Sequence, residues 1–194
     1  RSAPFGGGQG IYVYELSKAL KQLGHQVDII SGPPYPELIP GIELIKLPGL
    51  NLFSTFKFRD RLDLFLNKKN KSFDDWYEFG SALLGGFPEL QTFGNRAHTY
   101  LANKTYDVVI DNQSISYGAV KIQDSFPLVE MMHHPISKDY YYDLKFAKGI
   151  LQRISKIRWY SFLKMQKISA RKINVVVTPS VSSKEDIHID FQVP

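Results

Sequence analysis

The stretch GGGQGIYVYELSKALKQLGHQVDII, residues 6–30, carries the strongest fold signal in the chain. From Ile11 to Leu23 its apolar residues recur at helical spacing, which predicts a helix over residues 9–23. Gly24 follows where a helix C-cap belongs, and the β-branched run at residues 27–30 predicts a short buried strand. A helix that leads through a tight turn into a buried strand is typical of an α/β protein.

The same alternation continues along the rest of the chain. Further strands are predicted at residues 42–47, 107–111, 128–132 and 175–177. Helices are predicted at residues 56–66, 74–101 with a break near 85–88, 118–123, 150–171, and from residue 180 onward. Strands separated by helices imply βαβ units, so the expected fold is a Rossmann-like, doubly wound α/β domain with a mostly parallel sheet and helices on both faces. Because residues 107–111 are so apolar, we expect that strand to be buried on both faces.

Composition excludes several classes of protein. With 194 residues, of which 43% are hydrophobic and 22% charged, the chain can bury a core and is not disordered. The absence of cysteine excludes a disulfide framework, a cysteine zinc site and a thiol nucleophile. The apolar runs are far shorter than the roughly 18 residues that span a bilayer, and the first ten residues do not resemble a signal peptide. The net charge of +5 suits phosphates, nucleic acid or an anionic membrane without separating them.

The predicted topology limits where a ligand can bind. In a parallel sheet of this kind, ligands lie at the carboxyl ends of the strands. That rule selects the residues after positions 30, 110, 132 and 177, together with the glycine-rich loop before the first helix.

The glycine-rich loop at residues 6–10 allows two interpretations. Glycines let the backbone approach a ligand closely, and a helix N-terminus offers free N–H groups to a phosphate or sugar. The same residues suit a flexible terminus or a plain tight turn equally well. The spacing fits neither the dinucleotide fingerprint nor a P-loop.

Two adjacent histidines, His133 and His134, end a predicted strand. An imidazole there could donate a hydrogen bond, shuttle a proton or orient a hydroxyl. Neighbouring strand residues point to opposite faces, so the pair is a poor metal site, and we predict no metal. The position favours a functional role for one of the two, against the alternative of one packed and one solvated side chain.

Two further polar candidates follow strands. Asp111, Asn112, Gln113 and Ser114 could bind the hydroxyls of a sugar, although turn formation explains the same residue types slightly better. Ser180 precedes the last helix, where an N-cap is the favoured interpretation over ligand binding.

The predicted helix at residues 150–171 is basic and amphipathic, with aromatic residues upstream. Such a helix can lie on an anionic membrane, but it more often packs on its own sheet with its lysines in water. We favour packing and keep membrane contact as the alternative. No nucleic-acid-binding motif is present, so we expect no nucleic-acid partner.

Several blocks resemble one protein family. The N-terminal domain of family 4 glycosyltransferases is resembled by two neighbouring segments, residues 6–20 (GGGQGIYVYELSKAL) and residues 23–30 (LGHQVDII). In that family a glycine-rich loop precedes a helix of the form x-Glu-Leu-x-x-x-Leu, and Gly-His-x-Val leads into a strand. Residues 127–133, PLVEMMH, resemble the strand of that family that ends on an active-site histidine. Residues 175–180, VVVTPS, with SKEDI at 183–187, resemble the segment before the interdomain linker. Residues 50–105 match no family pattern.

The resemblance implies a function. It implies retaining transfer of a sugar from a nucleotide-diphosphate sugar to a hydroxyl of an acceptor glycan or lipid, without a metal or resident cofactor. It places the glycine loop near the donor phosphates and makes His133, rather than His134, the active-site histidine that hydrogen-bonds the transferred sugar. The candidate donor- or acceptor-binding residues are Gly6, Gly7, Gly8, Gln9, Gly10, Asp111, Asn112, His134 and Ser180.

Two departures from the family pattern shape the domain prediction. The family has a strand before the glycine loop, where this chain has only residues 1–5, and the donor-binding half with its paired glutamates lies beyond residue 194. We therefore expect residues 1–194 to form a single N-terminal, acceptor-side domain of a two-domain (GT-B) enzyme, with the C-terminal donor-binding domain absent and little activity alone. The expected location is the cytoplasm, with peripheral contact at the inner face of the membrane. The alternatives are a non-catalytic carbohydrate- or membrane-surface-binding α/β domain, or another GT-B enzyme such as a sugar-nucleotide epimerase.

Overall fold

The fold is known from a computed structural model that describes residues 7–55 and 57–193. Contacts within the chain define two compact units, residues 1–51 and residues 52–194.

The first unit consists of one helix and two paired strands. Helix α1 spans Gly8–Gln22, strand β1 spans Asp28–Ser31 and strand β2 spans Glu43–Lys46. The strands are parallel, with Asp28 opposite Glu43. All three elements lie where the sequence predicts them, within one or two residues.

The turn after α1 explains why its end is easy to predict. Gly24 has a positive φ of 90°, which suits glycine. Its N–H bonds to the carbonyl of Lys21 at 3.0 Å, and the N–H of His25 bonds to the carbonyl of Leu20 at 3.1 Å. This pair of bonds is the Schellman motif, which satisfies the last carbonyls of the helix and directs the chain into β1.

The second unit contains the remaining described helices and strands. Its elements are α2 (Phe58–Asn67), α3 (Phe73–Leu83), α4 (Glu89–Leu101), β3 (Val109–Asn112), α5 (Tyr117–Ile122), β4 (Leu128–Met131), α6 (Ser137–Lys145), α7 (Ile150–Trp159), α8 (Phe162–Ala170), β5 (Val176–Val177) and α9 (Val181–Phe191). The strands form a parallel sheet in the order β3-β4-β5, with Asp111 opposite Glu130. The predicted break near residues 85–88 separates α3 from α4, as expected from its glycines and proline.

Burial follows the position of each strand in this sheet. The central strand β4 buries Leu128, and Met132 directly after it is fully buried. Among the described residues, β3 pairs with β4 and leaves Ile110 40% exposed, so the prediction that this strand is buried on both faces is wrong. Its apolar residues indicated a parallel strand correctly, but they did not determine how completely its faces are covered.

Helices α4 and α5 cross very closely through two glycines. A Cβ added at Gly118 would lie 2.7 Å from the Cα of Gly94 and closer still to the carbonyl group of Gly94. A Cβ at Gly94 would lie 2.7 Å from the Cβ of Ser116. The contact therefore requires residues without side chains, and it fixes the helix that follows β3.

The basic segment after residue 136 differs most from the prediction. The prediction of a single helix over residues 150–171 is wrong, because α7 ends at Trp159 and α8 begins at Phe162. No glycine or proline marks the break. Instead, Trp159 stacks on Phe87 at 5.1 Å, Phe162 contacts the same ring at 5.6 Å, and the hydroxyl of Tyr160 donates to Asp143 of α6 at 3.0 Å. Helix α6 itself was not predicted.

The prediction that this basic helix packs on the protein holds for one half of it. Helix α8 buries residues on its inner side, including Leu163 and Ala170, whereas no residue of α7 is buried. No helix among residues 7–55 and 57–193 is long and apolar enough to cross a membrane. The parallel strands, each linked to helices, confirm the predicted Rossmann-like α/β class.

Candidate functional site

The glycine-rich segment lies in the first unit and is partly helical. The prediction of a loop over residues 6–10 is too long, because Gly8, Gln9 and Gly10 form the first turn of α1. Gly6 lies outside the described residues. Gly7 is the N-cap, and its carbonyl accepts the N–H of Gly10 at 3.1 Å.

The need for glycine differs along this segment. Gly7 has a φ of 80°, a conformation that side-chain-bearing residues rarely adopt. Gly8 is exposed, and a Cβ built on it meets no atom within 4 Å. The described structure therefore gives a backbone reason for Gly7 but no packing reason for Gly8.

In the second unit, His133 lies where β3 and β4 end. Its ring Nε2 is 2.9 Å from Oδ1 of Asn112, and its backbone N–H donates to Oε1 of Gln113 at 3.0 Å. Its carbonyl accepts the hydroxyl of Ser183, on α9, at 3.1 Å. Three elements thus hold this half-buried histidine at the carboxyl edge of the sheet, where the fold places ligands.

These contacts set the protonation of the His133 ring. Burial lowers its pKa, and the neighbouring His134 lowers it further, so the neutral ring is favoured near pH 7. The amide oxygen of Asn112 can only accept a hydrogen bond, so this contact favours the tautomer with the ring proton on Nε2. A neutral imidazole suits hydrogen bonding to a hydroxyl.

His134 has a different environment. Its side chain is 51% exposed, with Nε2 3.4 Å from the exposed carboxylate of Asp139. Its carbonyl accepts the amide of Gln113 at 2.9 Å. The two histidines are therefore one half-buried and one solvated side chain. No group of three or more potential metal ligands occurs within the part of the chain that the structure describes.

Asp111 shapes the loop that carries Asn112 and Gln113. Its Oδ2 accepts the hydroxyl of Ser114 at 2.6 Å and the N–H of Ile115 at 3.2 Å. This is the turn chemistry that the sequence favoured slightly over ligand binding. Two residues of the loop have positive φ, 62° at Gln113 and 45° at Ile115.

Ser180 is the N-cap of α9, as the sequence favoured. Its Oγ accepts the N–H of Ser183 at 3.0 Å and donates to the Ser183 hydroxyl at 3.0 Å. Because Ser183 in turn binds the carbonyl of His133, the cap is connected to the histidine through one residue.

The sequence interpretation did not single out Ser183 or Glu130, and it named Gln113 only as one member of a polar cluster. Gln113 belonged to the predicted polar cluster, but its two bonds to the histidine backbone depend on the tertiary fold. Ser183 could not be distinguished from its neighbouring serines. Glu130 had a visible signal, a carboxylate in an otherwise apolar strand, and it is fully buried beside Asp111.

We call Asp111, Asn112, Gln113, His133 and Ser183 the strand-end cluster. It contains three of the predicted site residues, Asp111, Asn112 and His133. His134 lies next to the cluster, and Ser180 is one hydrogen bond away from it. The glycine segment belongs to the other unit.

Comparison with known proteins identifies relatives of the whole chain. The model of Glycosyltransferase Family 4 matches residues 6–194. The chain is also 40% identical, over 197 aligned residues, to an MMP alpha-(1->4)-mannosyltransferase from Mycolicibacterium hassiacum. That alignment covers 100% of this chain but 47% of the mannosyltransferase, so the chain spans about half the length of this curated relative.

Proposed function

Because the chain belongs to glycosyltransferase family 4, we propose that it is the N-terminal, acceptor-side half of a retaining glycosyltransferase. The complete enzyme transfers a sugar from a nucleotide-diphosphate sugar to a hydroxyl of an acceptor glycan or lipid, without a metal or resident cofactor. The family match over nearly the entire chain supports the reaction class, and the relative's name makes mannose the first sugar to test.

We further propose that His133 hydrogen-bonds the transferred sugar. The observation that carries this role is the His133 ring, neutral and oriented by Asn112 at the carboxyl edge of the sheet. A fixed donor or acceptor that needs no reorganisation during the reaction stabilises a transition state effectively. Asp111, Asn112, His134 and Ser180 surround this position and are proposed to shape the acceptor side.

The test compares the two histidines in the full-length protein. His133→Ala should lower kcat/KM about 100-fold, the order expected for one lost transition-state hydrogen bond. His134→Ala is the comparison, because its side chain is adjacent but solvated, and it should lower kcat/KM far less than His133→Ala does. Transfer would be measured with a panel of nucleotide-diphosphate sugars that includes a mannosyl donor. Equal activity of both variants and the wild type would refute the role of His133.

The glycine segment is proposed to lie near the donor phosphates. Gly8→Ala tests this cleanly, because the added methyl group meets no atom of the described protein within 4 Å. A rise in KM for the nucleotide sugar would then report contact with the substrate. Gly80→Ala, on α3, also meets no atom within 4 Å and serves as the control. If Gly8→Ala and Gly80→Ala have the same KM as the wild type, the donor does not approach Gly8.

Sequence beyond residue 194 distinguishes the transferase from the other candidates. A second α/β domain with a Glu-x7-Glu pattern would support the proposal and would supply the donor-binding half. A stop codon directly after this residue would contradict it and favour a non-catalytic carbohydrate-binding domain. The chain spans about half the length of the curated relative, so residues 1–194 alone should show little or no transfer.

A second proposed function, peripheral contact with an anionic membrane at the cytoplasmic face, has its own supporting observation. Residues 137–172 contain ten basic and two acidic residues, a net charge of +8, whereas the rest of the chain sums to −3. Helix α7 in this segment exposes an apolar stripe, with Leu151 80% and Ile157 51% accessible. Basic residues beside exposed apolar ones suit the surface of an anionic bilayer.

Vesicle co-sedimentation tests this contact. The full-length protein should pellet with vesicles containing anionic lipid at low salt and should remain in solution with neutral vesicles. Leu151→Glu should reduce pelleting, while Lys104→Gln, which also lowers the net charge by one but lies outside the segment, should reduce it less. If anionic vesicles do not pellet the wild type at low salt, the membrane proposal is wrong.

A further inference from the structure

Glu130 carries a fully buried carboxyl group. It lies on the central strand β4 and has 0% relative exposure. Neither of its carboxylate oxygens has a hydrogen bond of normal geometry among the described residues, and the backbone N–H of Gln113, which lowers the Glu130 pKa, only partly offsets the effect of burial. A buried charge without a partner strongly destabilises a protein, so such a group takes up a proton instead.

The side chain nearest in register is another carboxylate. Asp111 on β3 lies opposite Glu130, and residues in register on parallel strands project to the same face of the sheet. Two ionised carboxylates have no hydrogen atom between them, which explains why Glu130 lacks a partner as an anion. A proton on Glu130 supplies the missing donor. Burial raises the Glu130 pKa well above its ordinary range, and the negative charge of Asp111 raises it further.

Asp111 in turn holds a strained loop. Its carboxylate accepts from the N–H of Ile115, whose φ of 45° is disfavoured for a β-branched residue. Gln113, in the same loop, also has positive φ. Such backbone persists only where surrounding contacts impose it, and Asp111 provides one of them.

The same loop orients His133. Asn112 binds the ring, and the side chain of Gln113 binds the backbone of both histidines. A shift of Asp111 would therefore move the groups that select the His133 tautomer. Asp111 and this loop therefore connect Glu130 to the His133 ring.

We infer that Glu130 is a positioning residue that keeps its proton and donates it in a hydrogen bond to Asp111, thereby fixing the loop that orients the His133 ring. The importance of this for transfer rests on the proposed function of His133, but the proton and the ring orientation can be measured without any activity.

The first measurement needs no functional assay. Infrared difference spectra of the full-length wild type minus Glu130→Gln at pH 7 should contain the carbonyl band of a protonated carboxylic acid. A spectrum that instead shows only the bands of an ionised carboxylate overturns the inference. The wild type provides this signal, so the result does not depend on how well a more disruptive variant folds.

The second measurement concerns the histidine. Glu130→Gln keeps a neutral donor toward Asp111, whereas Glu130→Leu removes it with little change in volume. In ¹⁵N spectra of histidine-labelled protein, the wild type and the Gln variant should show His133 protonated only at Nε2. The Leu variant should show a mixture of tautomers and a His133 pKa closer to the ordinary value. An unchanged His133 in the Leu variant, or an equal change in both variants, overturns the inference.

Transfer assays then relate the inference to function. Glu130→Gln should keep kcat within about threefold of the wild type, while Glu130→Leu should lower kcat at least tenfold with little change in KM, because orientation matters most in the transition state. If His133→Ala has no effect on transfer but the spectra agree with expectation, the proposed role of His133 fails and the positioning role of Glu130 stands.

Discussion

The close crossing of α4 and α5 gives the sharpest test of the packing, through the substitution Gly118→Ala. The new Cβ would lie 2.7 Å from the Cα of Gly94 and closer to its carbonyl group, whereas an ordinary contact is 3.4–4 Å. The obstacle is backbone on the neighbouring helix, so no flexible side chain can move aside. The two helices must separate, or α5 must rotate.

The magnitude follows from two opposing effects. Overpacking a close contact costs about 3 kcal/mol at the upper end of its usual range, which this backbone clash warrants. Replacing glycine by alanine within a helix raises the free energy of unfolding by about 1 kcal/mol through helix propensity. We therefore expect Gly118→Ala to lower the free energy of unfolding by about 2 kcal/mol, equivalent to a Tm lower by roughly 4–8 °C for a chain of this size.

Urea denaturation followed by circular dichroism measures this change, and Gly80→Ala is the matched control. Gly80 is also helical, but its added Cβ meets no atom within 4 Å, so only the helix-propensity effect remains. Gly80→Ala should raise the stability by about 0.5–1 kcal/mol. If Gly118→Ala leaves stability unchanged, or raises it as Gly80→Ala does, the two helices do not approach as closely as described.

Three further predictions concern charges and caps. Arg96 donates to the buried carboxylates of Asp75 and Glu78 at 3.0 and 2.6 Å, so Arg96→Met should lower the free energy of unfolding by about 3–5 kcal/mol. The control Arg59→Met, at an exposed position, should lower it by less than about 0.5 kcal/mol, and similar urea midpoints for both variants would mean that the ion network contributes little. Ser180→Ala removes the N-cap of α9 and should lower the free energy of unfolding, measured by thermal denaturation, by about 1 kcal/mol. Ser182→Ala, at an exposed position on the same helix, should lower it less, and the reverse order would contradict the assignment of the cap. Folding lowers the His133 pKa, so the native state binds fewer protons than the unfolded chain. The contribution of this residue to the free energy of unfolding is therefore complete above the ordinary histidine pKa of about 6.5 and is lost as the pH falls through and below that value. Urea midpoints between about pH 5 and 7.5 should therefore fall less steeply with acid in His133→Gln than in the wild type, and parallel pH curves would refute the assignment.

Elements with a local cause were predictable. The Schellman turn at Gly24, the glycines and proline between α3 and α4, and the N-cap at Ser180 each depend on residues within one or two helical turns. Such local signals place most of the described helices and strands correctly and give the α/β class.

Elements that depend on distant contacts were not predictable. The break between α7 and α8 contains no helix-breaking residue, and the aromatic cluster around Phe87 explains it, with ring contributions from parts of the chain more than 60 residues apart. Helix α6 buries no residue, so its sequence lacks the apolar periodicity that marks packed helices.

The candidate site shows the same division. His133 and Asn112 could be selected from sequence, because polar residues that follow buried strands meet at one edge of a parallel sheet. Only the folded chain could reveal the hydrogen bonds at this site, because each joins residues at least 20 positions apart. They are the bond between His133 and Asn112, the two bonds of Gln113 to the histidine backbone, and the bond from Ser183.

The sequence by itself determined the α/β class, the family resemblance and the choice of His133, because periodicity, caps and short motifs are written in neighbouring residues. The glycine segment was interpreted as a loop, and the tertiary structure begins the helix at Gly8 instead. The tertiary structure alone decided that Glu130 lies buried against Asp111 and that the ring of His133 lies within hydrogen-bond distance of Asn112. Burial and hydrogen bonding between strands depend on which segments become neighbours in the fold, and residue order alone does not specify this.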